Sequence, residues 1–251
     1  MPDTESKKAK KKEARKGIPA EVQNAVEKLL NGGKEADLAL FGRMLADLPE
    51  KNIDAASQVA HAISTNKVSV EFDYYTAVDD LKPEETAGAD MIGTIEFNSA
   101  CFYRYANVDL DQLAKNLGHD EPLAHKTLEA FIRASVAAIP TGKQNSLAAQ
   151  NPPSFIMAVV RDRRLWSLAN AFLNPVRADA TGDLVRKSIE ALDNYWGQLT
   201  QMYGNAGIVG NWFAGLDARD LKHLGNPNAG FDAVLAGLMA KIAFSPVEKV
   251  G

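Results

Sequence analysis

Residues 68–108, VSVEFDYYTAVDDLKPEETAGADMIGTIEFNSACFYRYANV, hold two strand-like runs around a loop that carries Pro and Gly. In the first run Val68, Val70, Phe72 and Tyr74 alternate with Ser69, Glu71, Asp73 and Tyr75. That period of two predicts a strand with one buried face. In the second run Ile95, Phe97, Cys101, Tyr103 and Tyr105 share a face, opposite Thr94, Glu96, Asn98, Ala100 and Arg104, with Phe102 among the latter. The intervening Asp79 to Met91 contains PEET and AGAD, polar and too long for a tight hairpin turn. The prediction is an extended β-arm over about 68–108 with aromatic side chains at its base.

Outward from the arm, 251 residues allow one or two domains. Apolar residues at 46% and charged residues at 24% suit a soluble globular protein with a core of its own. The single cysteine, Cys101, excludes an internal disulfide and fits a reducing cytosol, so a cytoplasmic location is expected. No apolar run approaches the roughly 18 residues of a membrane span, and the basic N-terminus runs into more charge, unlike a signal peptide. The net charge of −4 hides an asymmetry. Residues 1–17 hold seven Lys/Arg against three Asp/Glu, which leaves −8 for the rest. An acidic body argues against bulk nucleic-acid affinity, so any such site must be a local groove.

Residues 1–17 are low-complexity and charged, and a disordered tail is predicted there, followed by a single α+β domain over 18–251. The tail is an electrostatic grip for phosphates or a solvated linker. A helix is predicted over Ile18 to Leu30. Asp37 to Met44, DLALFGRM, reads as a strand delivering a loop, and Ala55 to Ser64 as a short helix. Asp109 caps a helix to Leu117 that Gly118 stops. Pro122 to Ala138 is amphipathic, with Leu123, Leu128, Phe131, Ile132 and Val136 near one stripe. Ile139 to Pro153 reads as a polar loop, and Ser154 to Val160 as a strand buried on both faces. Leu165 to Phe172 and Asp183 to Tyr203 read as helices, and Phe231 to Phe244 as the last one. Helices and antiparallel strands mix, which is the α+β class.

Three groups of residues carry candidate chemistry, each beside a plainer reading. Gly42 permits close backbone approach, Arg43 reaches for phosphate, and Met44 is a flexible apolar wedge; alternatively they form an ordinary strand end. Tyr74, Tyr75, Thr76 and Val78 place flat and β-branched side chains on the arm, suited to stacking on unpaired bases or wedging between base steps; alternatively Tyr74 is core and Tyr75 surface. Lys143, Gln144, Asn145 and Ser146 sit in a loop before a strand, where phosphate and 2′-hydroxyl contacts need no base readout; alternatively this is a plain surface loop. His119, Asp120, Glu121 and His125 lack the spacing of a known metal motif, so no metal and no cofactor are expected. Cys101 reads as core rather than nucleophile, and His61 has no triad partner in view.

The strings LFGRM, YYTAVDDL, GTIEFNSACFYRYANV and IPTGKQNSLAAQNPP, in that order, resemble the backbone subunit of the type I-E CRISPR Cascade complex, from about Asp37 to Leu173. The resemblance implies a ferredoxin-like palm of the RNA-recognition-motif type, with a helical insertion and a protruding β-thumb. It implies a chain that lacks the N-terminal portion of the family fold, including the first palm strand. It implies a non-catalytic scaffold that polymerises along CRISPR RNA and presents it to target DNA, with other copies of itself and other Cascade subunits as partners. The position of Met44 would sit against a flipped nucleotide. Those of Tyr75, Thr76 and Val78 would insert into the guide–target duplex, with Tyr75 where a Phe or similar ring is usual. Asn145 stands where relatives often carry Arg. Two other readings remain. One is an RNA endonuclease of a related CRISPR type using Asp79 or Asp80; the other is an interaction fragment that has lost RNA binding.

Overall fold

The computed structural model describes residues 21–22, 35–78, 88–178 and 183–244, with the side chains of 76–78 and 88–92 excepted. The expected tail, nearly all of the expected helix over 18–30, and the pair Asp79 and Asp80 lie outside the described residues. The chain is mixed α+β, with small two-stranded sheets. It divides into two units: one takes, of the described residues, 21–22, 35–58, 107–130 and 243–244, and the other is drawn from 59–106 and 131–242.

The first unit opens with helix α1, Ala36–Phe41. This corrects the strand expected over 37–44. A run this short cannot be assigned from periodicity alone, and here Ala and Leu favour the helix while Asp37 complements its N-terminal dipole. Gly42 ends α1 at φ 73°, and its N–H donates to Leu38 O at 2.9 Å. The helix expected over 55–64 is also corrected. Strands β1, Ser57–Val59, and β2, Ile63–Ser64, stand there instead, β2 being a strand of the second unit. Apolar spacing at Ala56, Val59, Ala60 and Ile63 imitates a helical stripe. β-Branched Val59 and Ile63 fit strands, and the partners β5 and β6, distant in sequence, decide the matter. Helix α2, Leu110–Asn116, matches expectation: Asp109 Oδ1 accepts from Gln112 N at 2.9 Å, and Gly118 follows the helix at φ 63°. Leu113 and Leu117 are fully buried. Asn116 Nδ2 donates to Ala39 O and Asp54 O, which ties α2 to the end of α1. Helix α3, Glu121–Ala137, follows, with residues 121–130 counted in this unit and Leu128 buried on the expected stripe.

The second unit holds the arm, β3 (Glu71–Val78) paired antiparallel with β4 (Gly88–Phe97). Gly88 to Met91, expected in the loop, belong to β4, and the rest of that expected loop lies outside the described residues. After a break at 98–101 come β5, Phe102–Tyr103, and β6, Ala106–Val108, which pair with β2 and β1. The short helix α4, Gln144–Leu147, interrupts the polar loop. Strand β7, Phe155–Arg161, pairs antiparallel with β8, Ile208–Gly215. Along β7 every residue is half-buried, so the expected burial of both faces is corrected. Only Ala169–Phe172 of the helix expected over 165–172 forms, as one 3₁₀ turn. Helix α5, Leu184–Tyr203, forms as expected, and Asp183 caps it, its Oδ1 accepting from Arg186 N–H. The last helix among the described residues, α6, Phe231–Met239, stops five residues short of the expected end.

The core of this unit gathers Leu168, Phe172, Leu192, Trp196, Phe213, Ala218 and Leu224, with Tyr103 and the β7 side chains Phe155, Met157 and Val159 packed against it. Within it Asp193, buried on α5, accepts from three backbone N–H groups in the segment after β8: Lys222 at 2.9 Å, His223 at 3.0 Å and Leu224 at 2.8 Å. A buried carboxylate so enclosed has its hydrogen-bonding capacity met by the backbone.

Candidate nucleic-acid interface

The aromatic arm departs most from its expected environment. In β3 every residue from Glu71 to Tyr75 is exposed, with Phe72 at 69% and Tyr74 at 74%. The predicted buried face is therefore corrected, and with it the plainer reading of Tyr74 as core. Alternation itself is present, but among the described residues β3 pairs only with β4. A two-stranded ribbon with nothing stacked on it leaves both faces wet. On β4 the pattern is kept better: Ile95 and Phe97 are half-buried between exposed Thr94 and Glu96.

Tyr75 lies opposite Gly93 in the ladder. A Cβ built at Gly93 would fall 2.5 Å from the Tyr75 ring. The ring thus folds across the ribbon onto the glycine, which holds it flat and leaves it half exposed. Thr76 and Val78 belong to the same strand and flank a register irregularity. Such irregularities bend a ribbon and re-aim the side chains around them. The ribbon thus presents adjacent aromatic side chains with no apolar cover of their own, a surface suited to flat, unpaired bases.

Gly42, Arg43 and Met44 lie in the first unit. Gly42 adopts a left-handed φ, and a Cβ there would meet Ile53 O at 2.6 Å, so the chain needs glycine for both reasons. Arg43 and Ile53 exchange two backbone hydrogen bonds of 2.9 Å. The Arg43 Nη2 donates to Lys51 O at 3.0 Å and its side chain is partly buried, so it braces this turn from within. Met44 next to it is 85% exposed. A braced bridge is thus followed at once by a bare, flexible thioether side chain.

The loop over 143–146 is self-built. Lys143 sits at φ 55° before α4. Gln144 Nε2 donates to Pro140 O at 2.6 Å and to Ala149 O at 3.3 Å, while its Oε1 accepts from Gln150. Ser146 Oγ donates to Lys143 O. Gln144 and Ser146 therefore shape the loop, and the exposed Lys143 and Asn145 are the groups it displays. This loop and the arm belong to the second unit, apart from the Gly42 turn.

His125 is engaged in an edge-on contact with Phe244, with ring centroids 4.9 Å apart, and stands 3.9 Å from Glu121. Among the described residues no group of three or more His, Cys, Asp or Glu is placed to hold a metal ion, and no helix is long and apolar enough to cross a membrane. Cys101 is partly buried, and its N–H donates to Asn66 Oδ1 at 3.0 Å. His61 is exposed. Sequence reasoning did not single out the turn Arg161 to Trp166, RDRRLW. Three Arg and a Trp in six residues were the signal there.

The family model described as CT1975-like protein matches residues 2–239, a longer span than the 37–173 over which the quoted strings run. A chain of a "CRISPR RNA-guided surveillance complex, pre-nicking" is similar over 86% of this chain, with 32% identity and a TM-score of 0.74. A chain of a "CRISPR RNA-guided surveillance complex" is similar over 82%, with 33% identity and a TM-score of 0.70. The matched regions make up 57% and 77% of those two chains. No curated protein matches.

Proposed function

The chain belongs to the CT1975-like protein family, and from that footing we propose that it is the backbone subunit of a type I-E Cascade complex. In this role it is a non-catalytic, cytoplasmic RNA-binding scaffold of antiviral defence. Copies of it polymerise along CRISPR RNA, beside other Cascade subunits, and present the guide for pairing with target DNA. The family palm, a ferredoxin-like RNA-recognition-motif sheet with the arm as its thumb, is part of the same proposal. The observation that carries it is the β3–β4 ribbon, whose aromatic residues Phe72, Tyr74 and Tyr75 are left in water on both faces. The similarity to chains of RNA-guided complexes supports it.

Each site has a role in this scheme. Lys143 supplies charge to the phosphate backbone without reading sequence, as a guide scaffold must accept any spacer. Tyr75, Thr76 and Val78 enter between base steps, which costs on the order of a few kcal/mol of unstacking. Stacking on Tyr74 and Tyr75, at about 1–3 kcal/mol per base, and packing on Met44 offset that cost. Gly42 and Arg43 hold Met44 in place. Pairing then occurs in short segments, interrupted where a nucleotide is flipped out.

The test is target affinity of the assembled complex for single mismatches along the whole guide. Mismatches at flipped positions are expected to cost almost nothing, and neighbouring mismatches the usual penalty. A profile with no periodic tolerance, or one unchanged by Tyr75→Ala combined with Val78→Gly, overturns the wedge. Incubation with labelled RNA and magnesium is expected to leave the RNA intact. A specific cut that Asp79→Ala and Asp80→Ala abolish would make the protein a nuclease instead.

A further inference from the structure

The turn that joins β7 to the core, Arg161 to Trp166, is used unevenly. Arg161 works inward. Its Nε donates to the carbonyls of Arg163 at 3.1 Å and Arg164 at 2.8 Å, and its guanidinium carbon lies 3.5 Å from the centroid of the Trp166 ring. Its Nη1 is sealed from solvent without a hydrogen-bond partner, so the ring face is what offsets the charge there. Trp166 in turn packs edge-on against the buried Trp196, with centroids 5.7 Å apart. Asp162 N–H donates to Gly207 O at 3.2 Å, just before β8. The turn is thus clamped from the backbone, the indole and the neighbouring segment.

What this clamp leaves outside is two guanidinium groups. The Arg163 side chain is 75% exposed and reaches Asp162 Oδ1 only at 3.8 Å, and Arg164 is exposed beside it. Trp166 also packs at 6.0 Å against the ring of Tyr203, the last residue of α5, which is 63% exposed. Three Arg stand against one Asp over 161–164, in a chain whose net charge is −4. A local reversal of charge, mounted on a braced turn beside an exposed ring, is the combination that single-stranded nucleic acid takes: cations for the phosphates and a flat face for a base. An acidic protein surface would use the cations but leave the ring unexplained.

We propose that Arg163, Arg164 and Tyr203 form a second single-strand contact, separate from the arm, in which the two guanidinium groups hold successive phosphates and Tyr203 stacks on a base. The inference rests on the reading of this chain as an RNA-binding subunit. The guide RNA and a target DNA strand offer the same phosphodiester and base chemistry, so the test treats them separately.

The experiment measures binding of the whole chain to a labelled single-stranded RNA and to a DNA of the same sequence, across a salt series. For Arg163→Ala with Arg164→Ala, the expected result is a loss of about tenfold or more at moderate salt. The slope of log affinity against log salt should fall by about 1.4, two phosphates at ~0.7 each for single strands. Tyr203→Ala is expected to weaken binding by about fivefold or more with the slope unchanged, since stacking releases no counterions. Both variants alter exposed side chains, so their melting midpoints should stay with the parent. A loss confined to RNA assigns the contact to the guide, one confined to DNA assigns it to the target strand, and an equal loss means a grip on the shared backbone. If Lys143→Ala weakens binding while the double Arg variant leaves affinity and slope unaltered, the second contact is overturned and the RNA-binding reading stands. If the chain binds neither strand, both are overturned.

Discussion

The ribbons β3–β4 and β7–β8 are both two-stranded and antiparallel, and each has one register irregularity, at Thr76/Val78 and at Val160/Arg161. In the first, every residue from Glu71 to Tyr75 is exposed. In the second, every residue of β7 is half-buried, and on β8 Phe213 is only 1% exposed. The difference lies in what packs on them. Helix α6 packs on β7 and β8, and Phe155, Met157 and Val159 meet the core cluster. The backbone ladder is the same in kind, so hydrogen bonding does not distinguish the two. Burial does, and it separates a ribbon that holds the unit together from one that is free to meet something else.

The sharpest way to break this comparison is to remove one Phe from each ribbon. Phe213→Ala deletes a fully buried ring and is expected to cost about 3–5 kcal/mol. Phe72→Ala takes away a side chain already in water and should stay within about 0.5 kcal/mol. Urea unfolding of both variants checks this, and equal losses would mean that β3 has a core contact. Next in size is Asp193→Ala, which leaves three N–H groups of the segment after β8 without their acceptor. Breaking a buried, charge-assisted cluster of this kind is expected to cost about 2–4 kcal/mol, read as a lowered denaturation midpoint. A neutral result would show that water replaces the carboxylate.

The smallest effect sits where the arm's chain enters the core. Tyr103, on β5, packs on Phe172 at 5.5 Å, and its hydroxyl accepts from Leu168 N–H at 3.0 Å. Burial raises its pKa above the usual 10.0. The sign is fixed by proton counting: above pH 10 the unfolded chain gives up this proton first, so the folded state binds more protons and stability falls as pH rises. Stability is therefore expected to be level on this account below about pH 10 and to decline above it, less steeply in Tyr103→Phe. Denaturation midpoints between pH 8 and 11 for both proteins check it. Parallel curves would mean that the hydroxyl titrates as if in water.

The same contrast explains what the sequence made legible. Helix α5 was readable from Val185, Ile189, Leu192 and Trp196 at helical spacing behind Asp183, because twenty residues of periodicity leave little choice. The Asp109 cap was legible for a local reason, one side chain meeting one N–H. Helix α1 and strand β1 were not, because their apolar runs are short and their partners, α2 and β6, lie far along the chain. Strand β8 hides behind two glycines in IVGNWFAG. At the candidate site the residue types were legible but their surroundings were not. Alternation in β3 announced a strand, yet nothing local told that both its faces are exposed. The roles of Gln144 and Ser146 inside their own loop, and of Arg161 as a brace, likewise depend on geometry that spacing does not encode.

The enclosure of Asp193 has a consequence on another scale, that of time. Lys222, His223 and Leu224 lie in irregular backbone, where amide hydrogens ordinarily exchange with solvent fast. Their three N–H groups are bonded to a carboxylate carried by the middle of α5, so they become accessible only when that helix lets go. In deuterated water these loop amides should keep their protons about as long as the helix does. The kinetic boundary of the most persistent part of the molecule would then run through a stretch with no regular structure.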